Sequence, residues 1–155
     1  RFLFKIVVTL AAKQELKEIL SRTTGAEHAR PLRVLDERRA IELREFVRQV
    51  VAAENIQDYV ARVVLATHPR SHYAPETVRK YVRYGSSPRG AQAMIVAAKV
   101  YAAVDGRLQV GFEDIQRAVV AALNHRILLN FEGEAEGIST ADLARQIAAQ
   151  TPASE

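Results

Sequence analysis

Cysteine is absent from the 155 residues, which excludes disulfides and thiolate metal sites and fits a reducing compartment. Aromatic residues make up only 6% of the chain while alanine is frequent, a balance that favours helix packing. No apolar run reaches the roughly 18 residues of a membrane span, and residues 1–10 lack the length and small-residue cleavage site of a signal peptide. Neither charge sign is scarce: 22 Lys and Arg against 18 Asp and Glu leave +4. That excess serves phosphate binding but falls short of a protein that coats nucleic acid. The expectation is a soluble, cytoplasmic, mostly α protein with one main domain.

Complete catalytic signatures are missing as well. There is no G-x-x-x-x-G-K-[ST] loop to cradle nucleotide phosphates and no G-x-S-x-G elbow. His68 and His72 have the i, i+4 spacing of paired zinc ligands, but Pro69 breaks the helix between them and no Glu follows His68. Glu132, Glu134 and Glu136 lack the spacing and turn of a calcium loop. His125, beside Arg126, reads as a surface or capping histidine, and His28 falls in a long loop.

What is present begins with residues 1–10, Arg-Phe-Leu-Phe-Lys-Ile-Val-Val-Thr-Leu, a β-rich and nearly continuous apolar stretch without an initiator methionine. Such a run suits a strand buried on both faces of a parallel sheet, and no other stretch matches it. A cut end is expected, with the rest of the sheet upstream. Helical periodicity follows. Ala12, Leu16, Ile19 and Leu20 share one face of a helix over 11–22, and Ile41, Phe46, Val47, Val50 and Val51 mark another from about Glu37. Asn55 is placed to cap a helix carrying Ile56, Tyr59, Val60, Val63 and Val64 up to His68-Pro69. Pro75 opens the next, with Val78, Tyr81 and Val82 inward and Arg79, Lys80 and Arg83 crowding the end where cations suit the helix dipole.

Further on, Ala91, Met94, Ile95, Ala98, Tyr101 and Ala102 form a helix face whose small residues allow close approach, ended by Asp105-Gly106. Leu108 to Val110 is extended, and Gly111-Phe112-Glu113-Asp114 leads acids into the first turn of a helix bearing Ile115, Val119, Ala122 and Leu123. Residues 127–131 suit either a short strand or an apolar plug, and 132–137 a loop. A capping-box-like Ser139/Asp142 pair starts a last helix that runs to about Gln150.

The most informative stretch is Tyr84-Gly85-Ser86-Ser87-Pro88-Arg89-Gly90-Ala91-Gln92. Gly85 suits the left-handed position that closes a helix, Ser87 an N-cap, and Pro88 the first helical position. Arg89 then places a cation at the positive end of the dipole, a loss of roughly 0.3–1 kcal/mol. A bound anion offsets that loss, because first-turn amides and a guanidinium fork converge on one phosphate. An arginine snorkelling to solvent is the other reading.

The S-P-R-G-A-Q-A block at 87–93, Asp105-Gly106-Arg107, Phe112-Glu113-Asp114-Ile115 and the H-R-I-L-L-N-F block at 125–131, in that order and spacing, resemble the C-terminal part of MoxR-type AAA+ ATPases. The resemblance covers nearly the whole chain and implies a helical AAA+ lid domain, a helix bundle, preceded by one strand and helix of a truncated α/β nucleotide-binding core. It divides the chain into 1–24, the end of the core; 25–53, a connecting segment with a helix; and 54–155, the lid. Arg89 then matches the sensor 2 arginine, which reaches the γ-phosphate, with Ser87, Pro88 and Gly90 forming its cofactor-binding turn. Arg1 stands where a D-R-F motif places a trans-acting arginine finger, although the preceding Asp is missing.

Implied cofactors are ATP and Mg2+, bound mainly by the core, and the isolated chain is expected to be inactive. Implied partners are further copies in a hexamer, proteins with von Willebrand factor A domains, and clients that the ATPase remodels or activates. Ala11-Ala12 and Gly111 depart from the family pattern, in which a proline-containing turn and a Ser or Thr cap are common. The alternative is a stand-alone helical module that binds nucleic-acid phosphates through Arg79, Lys80, Arg83 and Arg89.

Overall fold

A computed structural model describes residues 2–25 and 30–153. Among the described residues, eight helices and two short strands follow in the order α1 (Lys13–Thr23), α2 (Glu37–Gln49), α3 (Glu54–Ala66), α4 (Glu76–Tyr81), β1 (Val82–Tyr84), α5 (Pro88–Val104), α6 (Phe112–Leu123), β2 (Leu128–Leu129), α7 (Phe131–Ala135) and α8 (Thr140–Gln150). The fold is mostly α, as composition and periodicity predict. α5 packs along α6, α6 against α8, and α3 against both α5 and α8. Alanines set the spacing: Ala93, Ala97, Ala98 and Ala102 of α5 and Ala118 and Ala122 of α6 are buried. The larger side chains Met94, Ile115, Leu123, Ile147 and Val63 fill the space that remains.

The stripes predicted for α3 and α6 are the faces that the bundle buries, whereas in α5 the buried face is turned toward Gly90, Ala93 and Ala97. There Met94, Ala98 and Ala102 are buried as predicted, but Ala91, Ile95 and Tyr101 are only half-buried. Tyr59 joins layers by placing its ring edge-on to Phe112, 5.3 Å between centroids, while its hydroxyl donates to the Ala148 carbonyl at 2.9 Å. Arg62 is buried too, and it has partners: Nε donates to Asp58 at 2.9 Å and Nη1 to the Pro152 carbonyl at 2.7 Å. The capping reading of Ser139 holds, its hydroxyl accepting from the Asp142 amide at 3.2 Å.

Several expectations need correction. Asn55 does not cap α3. The helix starts a residue earlier, at Glu54, and Ala53 takes the cap position with no side-chain bond. The helix opened by Pro75 stops at Tyr81, because Val82 to Tyr84 turns into a strand antiparallel to Leu128 and Leu129. That pairing makes Leu128 and Leu129 a short strand flanked by buried Ile127, while Phe131 already belongs to the next helix and is exposed. Residues 132–137 are not simply a loop: Asn130 accepts from the Gly133 amide at 2.9 Å and starts α7. Asn130 also donates to the Lys80 carbonyl at 2.6 Å, so one side chain ties α7 to the end of α4.

Residues 2–12 pair with no strand among the described residues, and α1 buries none of its side chains. A β-rich sequence needs a neighbouring edge to satisfy its amides. Here Lys5 N–H donates to the Ala121 carbonyl at 3.0 Å instead.

Candidate functional site

The 84–92 turn is built on the end of α3. Thr67, fully buried, donates its hydroxyl to the Val64 carbonyl at 2.6 Å and accepts from the Ser86 amide at 2.8 Å. The neighbouring His68 donates from Nε2 to the Ser86 carbonyl at 2.9 Å. Ser86 is thus held on both sides of its peptide and is itself fully buried. His72 stacks on Tyr73 with ring centroids 3.8 Å apart, so the two histidines have separate roles. Beside this corner lies an open recess of about 330 Å3, lined by His68, Arg70, Arg83, Tyr84 and Gly85.

Gly85 is not left-handed. Among the described residues only Gly106 and Gly137 have positive φ. A Cβ on Gly85 would stand 2.5 Å from the Thr67 hydroxyl and 2.6 Å from its carbonyl oxygen, so this glycine exists for close approach. Gly90 does the same one turn into α5, where a Cβ would lie 2.1 Å from Ser86 Oγ and 2.8 Å from Leu123 Cδ2. Its bare Cα therefore faces the core. Ser87 occupies the N-cap position with extended backbone, but its side chain makes no capping bond, and Pro88 is the first helical residue. Both are exposed.

This frame projects Arg89 outward from the first turn of α5. Among the described residues Arg89 has no carboxylate partner, and neither has Arg126, the other arginine at this end. Burial lowers the Arg126 pKa from its ordinary value, and the neighbouring Arg89 charge lowers it further. Two guanidiniums thus share a region with no acid between them. Such an arrangement suits an anion at Arg89, whose guanidinium keeps free donors that gain charge-assisted bonds when one arrives, whereas Arg126 adds positive charge with its donors engaged.

Sequence reasoning missed the part played by Asn124, His125 and Arg126. Arg126 donates to the Phe2 carbonyl at 2.7 Å, the Leu3 carbonyl at 3.1 Å and its own helix at the Ala122 carbonyl. Its Nη1 also lies 2.9 Å from His125 Nε2, which faces the Phe2 carbonyl at 3.4 Å, while His125 Nδ1 lies 3.3 Å from Asn124 Oδ1. Asn124 in turn donates to the Lys5 carbonyl at 3.2 Å. Burial, aided by the Arg126 and Lys5 charges and opposed by the Phe2 carbonyl, pushes His125 below the ordinary histidine pKa. Together these side chains clasp residues 2–5 by their main chain. Arg1, the candidate arginine finger, lies outside the described residues.

The basic residues of the rival reading do not form one free patch. Lys80 pairs with Glu132 at 3.1 Å and Glu136 at 3.6 Å. Arg79 donates to the Ala74 and Ser71 carbonyls at 3.0 and 3.4 Å, and Arg83 sits in β1 over the Tyr84 ring. Arg107, known from sequence only as part of the Asp105-Gly106-Arg107 block, grips buried Asp114 with two bonds of 2.7 Å. Asp114 also accepts from the Gly111 amide at 2.8 Å and so starts α6 where the family's Ser or Thr cap is absent.

The profile of the AAA lid domain family matches residues 74–147, a span that starts just before α4 and ends within α8. The chain is 32% identical over 139 residues to the chaperone MoxR1 of Mycobacterium tuberculosis, covering 90% of this chain and 37% of that protein. It is also 32% identical over 151 residues to the uncharacterised protein YeaC of Bacillus subtilis, covering 95% of this chain and 43% of the relative. A crystal structure of a candidate ATPase from Cytophaga hutchinsonii superposes with a TM-score of 0.90 at 31% identity, over 98% of this chain and 46% of the other. The chain belongs to the MoxR-type AAA+ ATPases and corresponds to their C-terminal lid region. It spans less than half the length of each of these relatives.

Proposed function

We propose that this chain is the lid-bearing part of a ring-forming, chaperone-like MoxR-type ATPase that couples ATP binding and hydrolysis to remodelling or activation of partner proteins. The observation that carries the reading is Arg89: exposed at the first turn of α5, without an ion-pair partner among the described residues, on a turn locked by Thr67, His68, Gly85 and Gly90. Its donor set fits a terminal phosphate, and in this reading it is the sensor 2 arginine. Ser87, Pro88 and Gly90 shape the turn that aims it. ATP supplies the γ-phosphoryl group, and it is held with Mg2+ mainly by a P-loop core to which residues 1–24 contribute a strand and helix.

The chain's own residues position rather than react. Phosphoryl transfer depends mostly on placing charge where it develops, and a guanidinium fixed on a rigid turn does so with little reorganisation. The lid, residues 54–155, would move as a body against the core, with 25–53 connecting them. Arg1 is the candidate finger toward a neighbouring subunit. A cytoplasmic hexamer, inactive when reduced to this chain and acting on partners with von Willebrand factor A domains, completes the reading.

The test is steady-state ATP hydrolysis by the longer protein that carries this lid on a P-loop core. Arg89→Ala should lower turnover by about 10- to 100-fold, the worth of one charge-assisted interaction of about 1.5–3 kcal/mol. Unchanged turnover sinks the assignment.

A further inference from the structure

α2 lies across α5, and between them runs a trough of about 550 Å3. Leu43 and Val47 of α2 and Val96 and Val100 of α5 form its apolar surface. Val96, Val100 and Val104 recur at every fourth residue along α5 and remain exposed, Val104 at 76%. Four residues bring a helix back to nearly the same face, so the three valines make one stripe, about 12 Å long at 1.5 Å per residue. A stripe of branched apolar side chains continuous with an apolar trough is what a partner covers.

The charges around it are of one sign. Arg44, Arg48 and Lys99 line the trough, and no acidic residue does. Glu42, the α2 carboxylate adjoining Leu43 in sequence, is ion-paired to Arg38 and Arg39 instead. Lys99 donates to the Arg48 carbonyl at 3.1 Å, which fixes its ammonium at the junction of the two helices. None of the three cations has a carboxylate partner among the described residues.

We infer that the α2–α5 trough is a docking site for an acidic amphipathic helix of a partner protein. The length of the stripe matches two to three helical turns, with apolar anchors at i, i+4 and i+7 or i+8 seated on the valines, in the helix-in-groove mode. Carboxylates flanking those anchors meet Arg44, Arg48 and Lys99. The basic rim steers the encounter and rejects basic helices of equal hydrophobicity. The site is independent of Arg89 and of nucleotide, so it stands or falls apart from the ATPase reading.

The experiment titrates the 155-residue chain with two labelled synthetic amphipathic helices that share one leucine pattern, flanked by glutamates in one and lysines in the other. Expected is saturable binding of the acidic helix, weaker by about tenfold or more for the basic one, and weakened further by added salt. The double variant Arg44→Glu/Arg48→Glu should lose the acidic helix by about tenfold, and Val100→Asp should lose both helices. Far-UV circular dichroism and melting curves show that each variant is folded; should Val100→Asp unfold, Val96→Ser replaces it. Equal affinity for both helices, or unchanged affinity in the charge-reversed variant, overturns the proposal. So does absence of saturable binding, or sedimentation showing the trough closed by a second copy of the chain.

Discussion

Gly85 and Gly90 hold Arg89 in place by having no side chain, and the consequence is measurable. In Gly85→Ala the new methyl group would meet the main chain of Thr67 at 2.6 Å, which has nowhere to move. That change should cost about 1–3 kcal/mol, read as a lower denaturation midpoint with an unchanged slope. In Gly90→Ala the nearest atom is Ser86 Oγ, a side chain, so adding Ser86→Ala should recover part of the loss. Arg89→Ala, in contrast, removes an exposed side chain with no partner among the described residues, and should change stability by no more than about 0.5 kcal/mol. The position of Arg89 was legible from sequence, because Pro88 marks the first helical residue whatever surrounds it. The reason for Gly85 was not. Its constraint comes from Thr67, which meets the turn from across the fold, 19 residues before the Ser86 it bonds. A glycine required by contact and one required by φ look alike in sequence.

Among the elements, α3 and α6 could be read from apolar spacing because each buries one continuous face, α5 in part, and α8 from its Ser139 cap. β1, β2 and α7 could not. Val82 to Tyr84 continues the pattern of α4 and becomes a strand only through Leu128 and Leu129, a partner that local spacing does not announce. α7 depends on the Asn130 side chain, whose bonds to Gly133 and Lys80 place it between two elements. α6 offers a pH test. The hydrogen bonds from Arg107 hold the Asp114 carboxyl below its ordinary value, with the Gly111 amide helping against burial. A carboxylate with a lowered folded pKa adds stability that is present above its unfolded pKa of about 4 and is lost as pH falls through the lower folded value. Asp114→Asn should therefore destabilise the chain by about 1.5–3 kcal/mol at neutral pH, and the gap to the native protein should narrow below about pH 4. A gap that stays constant from pH 7 to 3 contradicts this role.

Across the whole molecule, the residues from Asn124 to Asn130 divide their work. Asn124, His125 and Arg126 clasp residues 2–5, whereas Ile127 to Asn130 build the core, the two-stranded sheet and the start of α7. The clasp takes main-chain carbonyls, so it fixes the path of the extended segment whatever its side chains. Arg126→Ala should accordingly raise the exchange rate of the Lys5 amide, bonded to Ala121, while amides at the centres of α5 and α6 keep their protection. Equal loss everywhere would make Arg126 a general stability residue instead. The clasp also brings residues 2–5 to the end of the bundle where Arg126 feels the charge of Arg89.

Sensing of the terminal phosphate by Arg89 is tested most directly by nucleotide binding to the longer protein that carries this lid on a P-loop core. ATP and ADP affinities are compared in the native protein and in Arg89→Ala. ATP binding should weaken by about 10- to 100-fold and ADP binding should be unchanged, since only ATP presents the γ-phosphate. Equal weakening of both nucleotides, or of neither, contradicts a γ-phosphate sensor at this turn.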